Sequence, residues 1–418
     1  MEITTLKNGI RLVTEHMPSL RSVSLGIWTK NGSRHETEAL NGVSHFIEHM
    51  LFKGTSKRSA KDIADEMDAM GGQMNAFTAK EYTCYYTRSL DNHFARSLDV
   101  LADMFFNSVF DQNEINKEKN VIIEEINMYE DSPDDVVAEI LNKAVWDGYA
   151  LGRNILGTKE TVSSFTTDIF KTYMARRYAP ENIVVSVAGS FDKAEVVSLV
   201  EAYFGQHTTS GDPGGIITPT YKPSIISKHK DIEQINIQLA VPSINLLDDN
   251  IYAMGALNTI LGGGMSSRLF QSVREQRGLC YSIYSYNSAH EDVGLFSICS
   301  SLTKENTKEA ISCIVDEFKA LGTNKITQDQ LDRTKEQLKS NYILGLESSS
   351  ARMNAIGRGV IMTNKAQTPE IIIEKINSIT LDKVYDVYNT ISDLSKLSLS
   401  VVGNLDGLDV DKLLSDAL

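Results

Sequence analysis

Two similar α+β domains are what this chain of 418 residues specifies, on three observations. The segment SSFTTDIFKTYMARRYAPENIVVSVAGSFD (163–192) aligns without a gap on NSITLDKVYDVYNTISDLSKLSLSVVGNLD (377–406). The alignment pairs Ser164 with Ser378, Thr166 with Thr380, Asp168 with Asp382, Gly189 with Gly403 and Asp192 with Asp406. A repeat of this kind marks a duplicated structural unit. Alternating strands recur in both halves, and the stretch between them, GQHTTSGDPGGIITPTYKP (205–223), has the Gly, Pro, Ser and Thr of a connection. The domains are drawn at 1–207 and 222–418 with a linker over 208–221, in keeping with a length that exceeds one ordinary core.

The elements follow in order. Val23, Leu25 and Ile27 alternate with Ser22, Ser24 and Gly26, the period of a half-buried strand. GVSHFIEHMLFKG (42–54) surrounds its polar residues with Phe46, Ile47, Met50, Leu51 and Phe52, so a largely buried helix is expected. After a Gly-Gly turn, GGQMNAFTAKEYTCYY (71–86) opens with a β-capable stretch from Met74 to Thr78. Phe94, Leu98, Leu101 and Phe105 mark an amphipathic helix, and NEINKEKNVIIEEINMYED (113–131) an acidic one. In the second half Ile235, Ile237 and Leu239 alternate as a strand, and LNTILGGGMSSRLF (257–270) stands where the first half has its His-rich helix. Ile311, Ile314, Phe318 and Leu321 mark the second amphipathic helix. Both aligned segments begin a helix with a Thr-x-Asp pair, which offers a capping hydroxyl and a first-turn acid, and continue into a β-rich run ending at Gly.

Composition removes several function classes. Lys plus Arg number 41 against 55 Asp plus Glu, a formal −14, whereas phosphate backbones call for a basic surface; nucleic acid is not an expected partner. Residues 1–30 show neither an apolar signal core nor an Arg/Ser-rich amphipathic stretch. No run approaches 18 apolar residues, so no membrane crossing is expected and a cytoplasmic location is. Cys84, Cys280, Cys299 and Cys313 lack Cys-x-x-Cys spacing and read as reduced thiols of that compartment.

The chemistry lies in His45, Glu48 and His49. Spacings of three and four put all three on one face of a helix. The order His-x-x-Glu-His inverts the commoner His-Glu-x-x-His zinc helix. Zinc takes neutral imidazole nitrogen and carboxylate oxygen, and a catalytic site leaves one position for water that an unligated carboxylate can deprotonate. His45 and His49 are therefore candidate ligands of one zinc ion per chain, and Glu48 a candidate general base. A third ligand is needed, and the acidic helix offers Glu114, Glu118, Glu124, Glu125 and Glu130. Glu118 and Glu125 share a face while Glu124 points elsewhere; spacing alone leaves the choice within this group open.

The His45-to-His49 motif, with the acidic helix about 75 residues on, resembles the pitrilysin family of zinc peptidases, M16, which also contains insulin-degrading enzyme and the mitochondrial processing peptidase. The likeness spans the whole chain and is strongest to the short-chain branch that includes bacterial processing proteases. It implies two homologous domains, each a mainly antiparallel sheet packed with helices. It also implies Glu125 as the third ligand and Glu118 as a supporting catalytic carboxylate. Asn75, Ala76, Phe77 and Thr78 would form an exposed edge strand to which peptide substrate adds, with Phe77 lining the pocket for the residue after the cut bond. Arg274 and Tyr281 in QSVREQRGLCYSIYS would bind the substrate carbonyl and steady the oxyanion, acting in trans within a homodimer that encloses a chamber. The implied activity is a zinc-dependent endopeptidase for unfolded peptides or presequence-like extensions. A peptide-binding or assembly subunit of the same fold is the alternative, and hydrolysis of a non-peptide amide a third reading. LGGGMSSRLF (261–270) lacks the Gly-Lys-Ser/Thr ending of a phosphate loop and is expected to be a turn near the chamber.

Overall fold

The computed structural model describes residues 1–209 and 214–418; the expected linker over 208–221 thus includes four positions, 210–213, outside the described residues. Six strands, β1 (Glu2–Thr5), β2 (Arg11–His16), β3 (Ser22–Thr29), β4 (Gln73–Thr78), β5 (Thr83–Leu90) and β6 (Ile183–Gly189), form one sheet in the order β1-β2-β6-β3-β5-β4. A second sheet has β7 (Ile225–His229), β8 (Ile235–Ser243), β9 (Cys280–Ala289), β10 (Gly294–Leu302) and β11 (Ser398–Gly403) in the order β7-β11-β8-β10-β9. The duplication is legible in the pairing. β2 lies parallel to β6 as β7 does to β11, and the other neighbouring strands of both sheets run antiparallel. Helices packed on the sheets include α1 (Val43–Leu51), α2 (Phe94–Asn107), α3 (Gln112–Asp131), α4 (Pro133–Val145), α5 (Ile251–Gly262), α6 (Thr307–Thr323) and α7 (Ser349–Thr363).

In the first sheet Val23, Leu25 and Ile27 face a core completed by Val43, Phe46 and Ile47 of α1 and Phe94, Leu98, Leu101 and Phe105 of α2. In the second, Ile235, Ile237 and Leu239 meet Leu257 and Ile260 of α5 and Ile311, Ile314, Phe318 and Leu321 of α6. The aligned segments both end on a glycine with positive φ, Gly189 at +127° and Gly403 at +152°. A Cβ there would lie 2.2 Å from Ser22 O and 2.6 Å from Gln234 O, so the neighbouring backbone forbids a side chain as firmly as φ does. The helix starts differ: Thr380 Oγ1 accepts from Lys383 N at 3.3 Å, whereas Thr166 at the matching position makes no such bond.

One expectation changes. β3 is buried on both faces rather than one, because α7, from far along the chain, covers the Ser24, Gly26 and Trp28 side. Ser24 Oγ bonds Ser349 Oγ at 2.9 Å, and Trp28 Nε1 donates to Ser186 Oγ at 2.8 Å. Gly357 of α7 lies over that indole; a Cβ would sit 2.2 Å from Trp28 Nε1. The small residues admit a helix at close range rather than meeting water. In exchange, α4 covers the second sheet: Val136 and Val137 pack on Val402, Leu141 and Val145 on Ala240 and Leu295, and Ser400 Oγ donates to Val137 O at 2.8 Å. The compact units are each assembled from three segments of the chain. One comprises Met1–Asn127, Arg153–Ile216 and Ile343–Thr368, the other Met128–Gly152, Ile217–Tyr342 and Pro369–Leu418. Among the described residues no helix is long and apolar enough to cross a membrane, and all four cysteines are free thiols.

Candidate metal centre

α1 begins at Gly42, whose φ of +95° and lack of a side chain leave the first amides uncapped from within. Glu36 supplies the cap from outside: its carboxylate accepts from Gly42 N at 2.7 Å, Ser44 N at 2.8 Å and Asn41 Nδ2 at 3.1 Å. Burial pushes the Glu36 carboxyl above its usual range while these amides pull the other way. The result is a helix fixed at its N-terminus by a buried anchor. No sequence motif announced Glu36, since it acts across an irregular loop.

The structure brings His45, His49 and Glu125 together, with one ligand atom of each within 4.8 Å of the others. Glu125 Oε2 stands 3.6 Å from His45 Nε2 and 3.6 Å from His49 Nε2. Tetrahedral zinc with bonds of about 2.0–2.1 Å sets its ligands about 3.3 Å apart, so one oxygen equidistant from two imidazole nitrogens fits the ion. Burial, with His49 adding, brings the His45 pKa down to about 3, which keeps the imidazole neutral as a ligand must be. Glu124 is exposed on the same helix and takes no part in this cluster. Neither do Glu114 and Glu130.

Glu118 lies one ring further out. Its Oε1 accepts from His49 Nδ1 at 2.9 Å, which places the imidazole proton on Nδ1 and leaves Nε2 facing Glu125 with a lone pair. Burial opposes ionisation of Glu118, but the bonds from His49 and Lys53 outweigh it and hold the carboxyl below its usual range. Burial raises the Glu125 carboxyl, with His49 opposing.

Glu48 stays outside the ligand cluster and is reached from the sheet. Thr78 Oγ1 donates to Glu48 Oε2 at 2.5 Å, and burial raises the Glu48 carboxyl against that bond. Among the described residues β4 is the end strand of its sheet and pairs with β5. Along β4, Ala76 and Thr78 pair with Tyr85 and Thr83 on the side of α1. Phe77 pairs with Cys84 on the opposite side, its ring 5.7 Å from Trp28 and 6.2 Å from Tyr82. Asn75 shares that second face. Thr78 was an expected strand residue; its bond to Glu48 carried no sequence signal.

In the other unit, Arg274 sits in a π-type turn, Phe270–Gln276, and Tyr281 is the second residue of β9. The guanidinium lies 5.4 Å from the Tyr281 ring centroid and 4.5 Å from that of Phe270, a cation–π sandwich. Tyr281 is 82% exposed, so this stack presents its phenol to solvent rather than to a core. The Gly-rich loop ends α5 at Gly262, where a Cβ would meet Ser285 Oγ at 2.5 Å.

Residues 11–159 match the model of the insulinase family, peptidase family M16, and residues 164–338 that of the peptidase M16 inactive domain. An uncharacterized zinc protease of Bacillus subtilis is 44% identical over 380 residues, 91% of this chain and 93% of that protein. One from Streptomyces coelicolor is 40% identical over 418 residues, 98% and 91% of the two chains. Among solved structures, a peptidase M16 inactive domain from Pseudomonas fluorescens superposes with a TM-score of 0.90 at 21% identity, covering 96% of this chain and 97% of that one. A protease from Helicobacter pylori gives 0.88 at 22%, covering 96% and 99%. These two establish the fold, and the bacterial relatives carry the assignment: the chain belongs to peptidase family M16.

Proposed function

We propose that this protein is a zinc-dependent endopeptidase that hydrolyses unfolded peptides or presequence-like extensions. The observation that carries the reading is the single Glu125 oxygen held 3.6 Å from both imidazole Nε2 atoms, with Glu48 beside them but outside the set. His45, His49 and Glu125 would hold one zinc ion. When bound, that ion supplies Lewis acidity, which acidifies water and polarises a peptide carbonyl. Glu48, oriented by Thr78, takes the proton of the attacking water and returns it to the leaving amine. Glu118 keeps the His49 ring turned toward Glu125.

The outer edge of β4 suits an extended substrate, which gains main-chain hydrogen bonds along Asn75, Ala76, Phe77 and Thr78 whatever its sequence. A strand added there projects side chains to both faces. Those on the Phe77 side meet an aromatic wall of Phe77 and Tyr82, which favours a large apolar residue after the cut bond. The exposed Arg274–Tyr281 stack is suited to steady a substrate oxyanion, and the reading assigns it to the partner chain of a homodimer that encloses a chamber in the cytoplasm.

The test is Glu48→Gln. It should keep zinc at one ion per chain while hydrolysis of a quenched peptide falls by about 10²–10⁴-fold; substantial remaining turnover refutes the base. Mixing Glu48→Gln with Arg274→Ala chains should restore activity through mixed dimers. Failure to do so in a confirmed dimer removes action in trans.

A further inference from the structure

One charged side chain is tied to the ligand set without touching it. Lys53 follows α1 and stands four residues beyond His49; its Nζ donates to Glu118 Oε2 at 2.6 Å. The other Glu118 oxygen accepts from His49 Nδ1 at 2.9 Å. The Glu118 side chain is 6% exposed, so little solvent is at hand to replace a lost partner. Support for the two imidazoles is one-sided: His45 Nδ1 is buried with no hydrogen-bond partner among the described residues. Orientation of the pair by hydrogen bonding therefore falls on His49, and through it on Glu118.

We propose that Lys53 is a positioning residue of the metal centre, clamping the second oxygen of Glu118 so that the first holds the His49 ring toward His45 and Glu125. The proposal rests on the zinc reading above. Its physical content lies in a sign. An ammonium group near a dication repels it, so if Lys53 acted only through space, its removal would tighten metal binding. If it acts through Glu118, removal frees a carboxylate with three torsions and one remaining anchor, and metal binding weakens. Partners of this outer kind are worth about 10–100-fold in metal affinity.

The experiment measures zinc affinity by competition with a chromophoric chelator, and the visible spectrum of the cobalt-substituted protein. The variants are Lys53→Met, Lys53→Arg, Glu118→Gln and the Lys53→Met/Glu118→Gln double variant. Lys117→Met, which removes an exposed lysine paired with Glu114, controls for net charge. Lys53→Met should weaken zinc binding about 10-fold and alter the cobalt bands, with Lys53→Arg recovering most of the loss. In the Glu118→Gln background Lys53→Met should change affinity by no more than about 2-fold, the scatter of additive sites. Unchanged or tighter binding by folded Lys53→Met overturns the proposal, as does full additivity with Glu118→Gln. If Lys53→Met fails to fold, Lys53→Gln is judged by the same outcomes. Wild-type protein that binds no zinc sinks the zinc reading and this proposal together; tight wild-type binding with an indifferent Lys53 sinks this proposal alone.

Discussion

The helix after β3 and the helix after β8 occupy the same place in the repeat, yet α1 reads VSHFIEHML and α5 reads IYAMGALNTILG. α5 buries Ala253, Met254, Ala256, Leu257, Ile260 and Leu261, an apolar solution to covering a sheet. α1 buries Val43, Phe46, Ile47, Met50 and Leu51 for the same purpose, but sets His45, Glu48 and His49 among them. Polar groups in such a place cost free energy unless partnered; here Thr78 partners Glu48 and Glu118 partners His49, while His45 has Glu125 3.6 Å away and a buried Nδ1 with no hydrogen bond among the described residues. The second half shows that the scaffold stands without this trio. The acidic helices differ likewise: α3 turns Glu118 and Glu125 inward, whereas Gln328–Leu344 buries Leu331 and Thr334 and leaves Asp329, Asp332 and Glu336 exposed.

That contrast can be broken most directly at the ligands. Glu125→Gln should lower zinc affinity by more than about 10²-fold and abolish peptide hydrolysis, because it removes a first ligand rather than an outer partner. Glu336→Gln should change neither. Equal effects on chelator competition would erase the distinction between the halves.

The sheet covers give a smaller and oppositely signed pair. Gly357→Ala drives a Cβ into the buried Trp28 indole and should cost about 1–3 kcal/mol in urea denaturation. Gly255→Ala, in α5, meets nothing nearer than Leu338 at 4.0 Å and should stabilise by about 0.5–1 kcal/mol through helix propensity. A stabilising Gly357→Ala would mean that α7 does not lie against Trp28.

Acid sharpens the comparison last. His35 in the first unit is half-buried, and loss of solvation, with Arg177 adding, lowers its pKa to about 3. Its Nδ1 accepts from Gly32 N at 3.1 Å, a role open only to the neutral ring. The folded pKa lies below the unfolded value of about 6.5, so this stability is present above pH 6.5 and is lost as pH falls toward 3. The slope should reach at most about 1.4 kcal/mol per pH unit. His35→Asn should flatten the dependence of the urea midpoint between pH 6.5 and 5; an unchanged slope would clear His35.

Legibility tracked locality. His45, Glu48 and His49 sit within five residues, and helix geometry alone put them on one face. The choice of Glu125 over Glu118 came from the family resemblance, because both face inward on α3 and only the fold brings one of them to the imidazole Nε2 atoms. The Ser24 and Gly26 side of β3 looked like a solvent face. Its true cover, α7, lies more than 300 residues away, and no local pattern encodes so distant a neighbour. Lys53 carries no local signal, because it lies beyond α1 and its partner is on α3.

The exchange of α4 and α7 between the two halves of the sequence has a consequence for how the chain can be divided. Cutting the backbone within 208–221 does not liberate two self-sufficient pieces. The amino-terminal fragment leaves Trp28 and Ser24 without their lid, and the carboxy-terminal fragment leaves Val402 and Ala240 bare. Nicked protein should remain associated, each fragment lodged in the other's interior, and separately expressed fragments should become soluble only when made together.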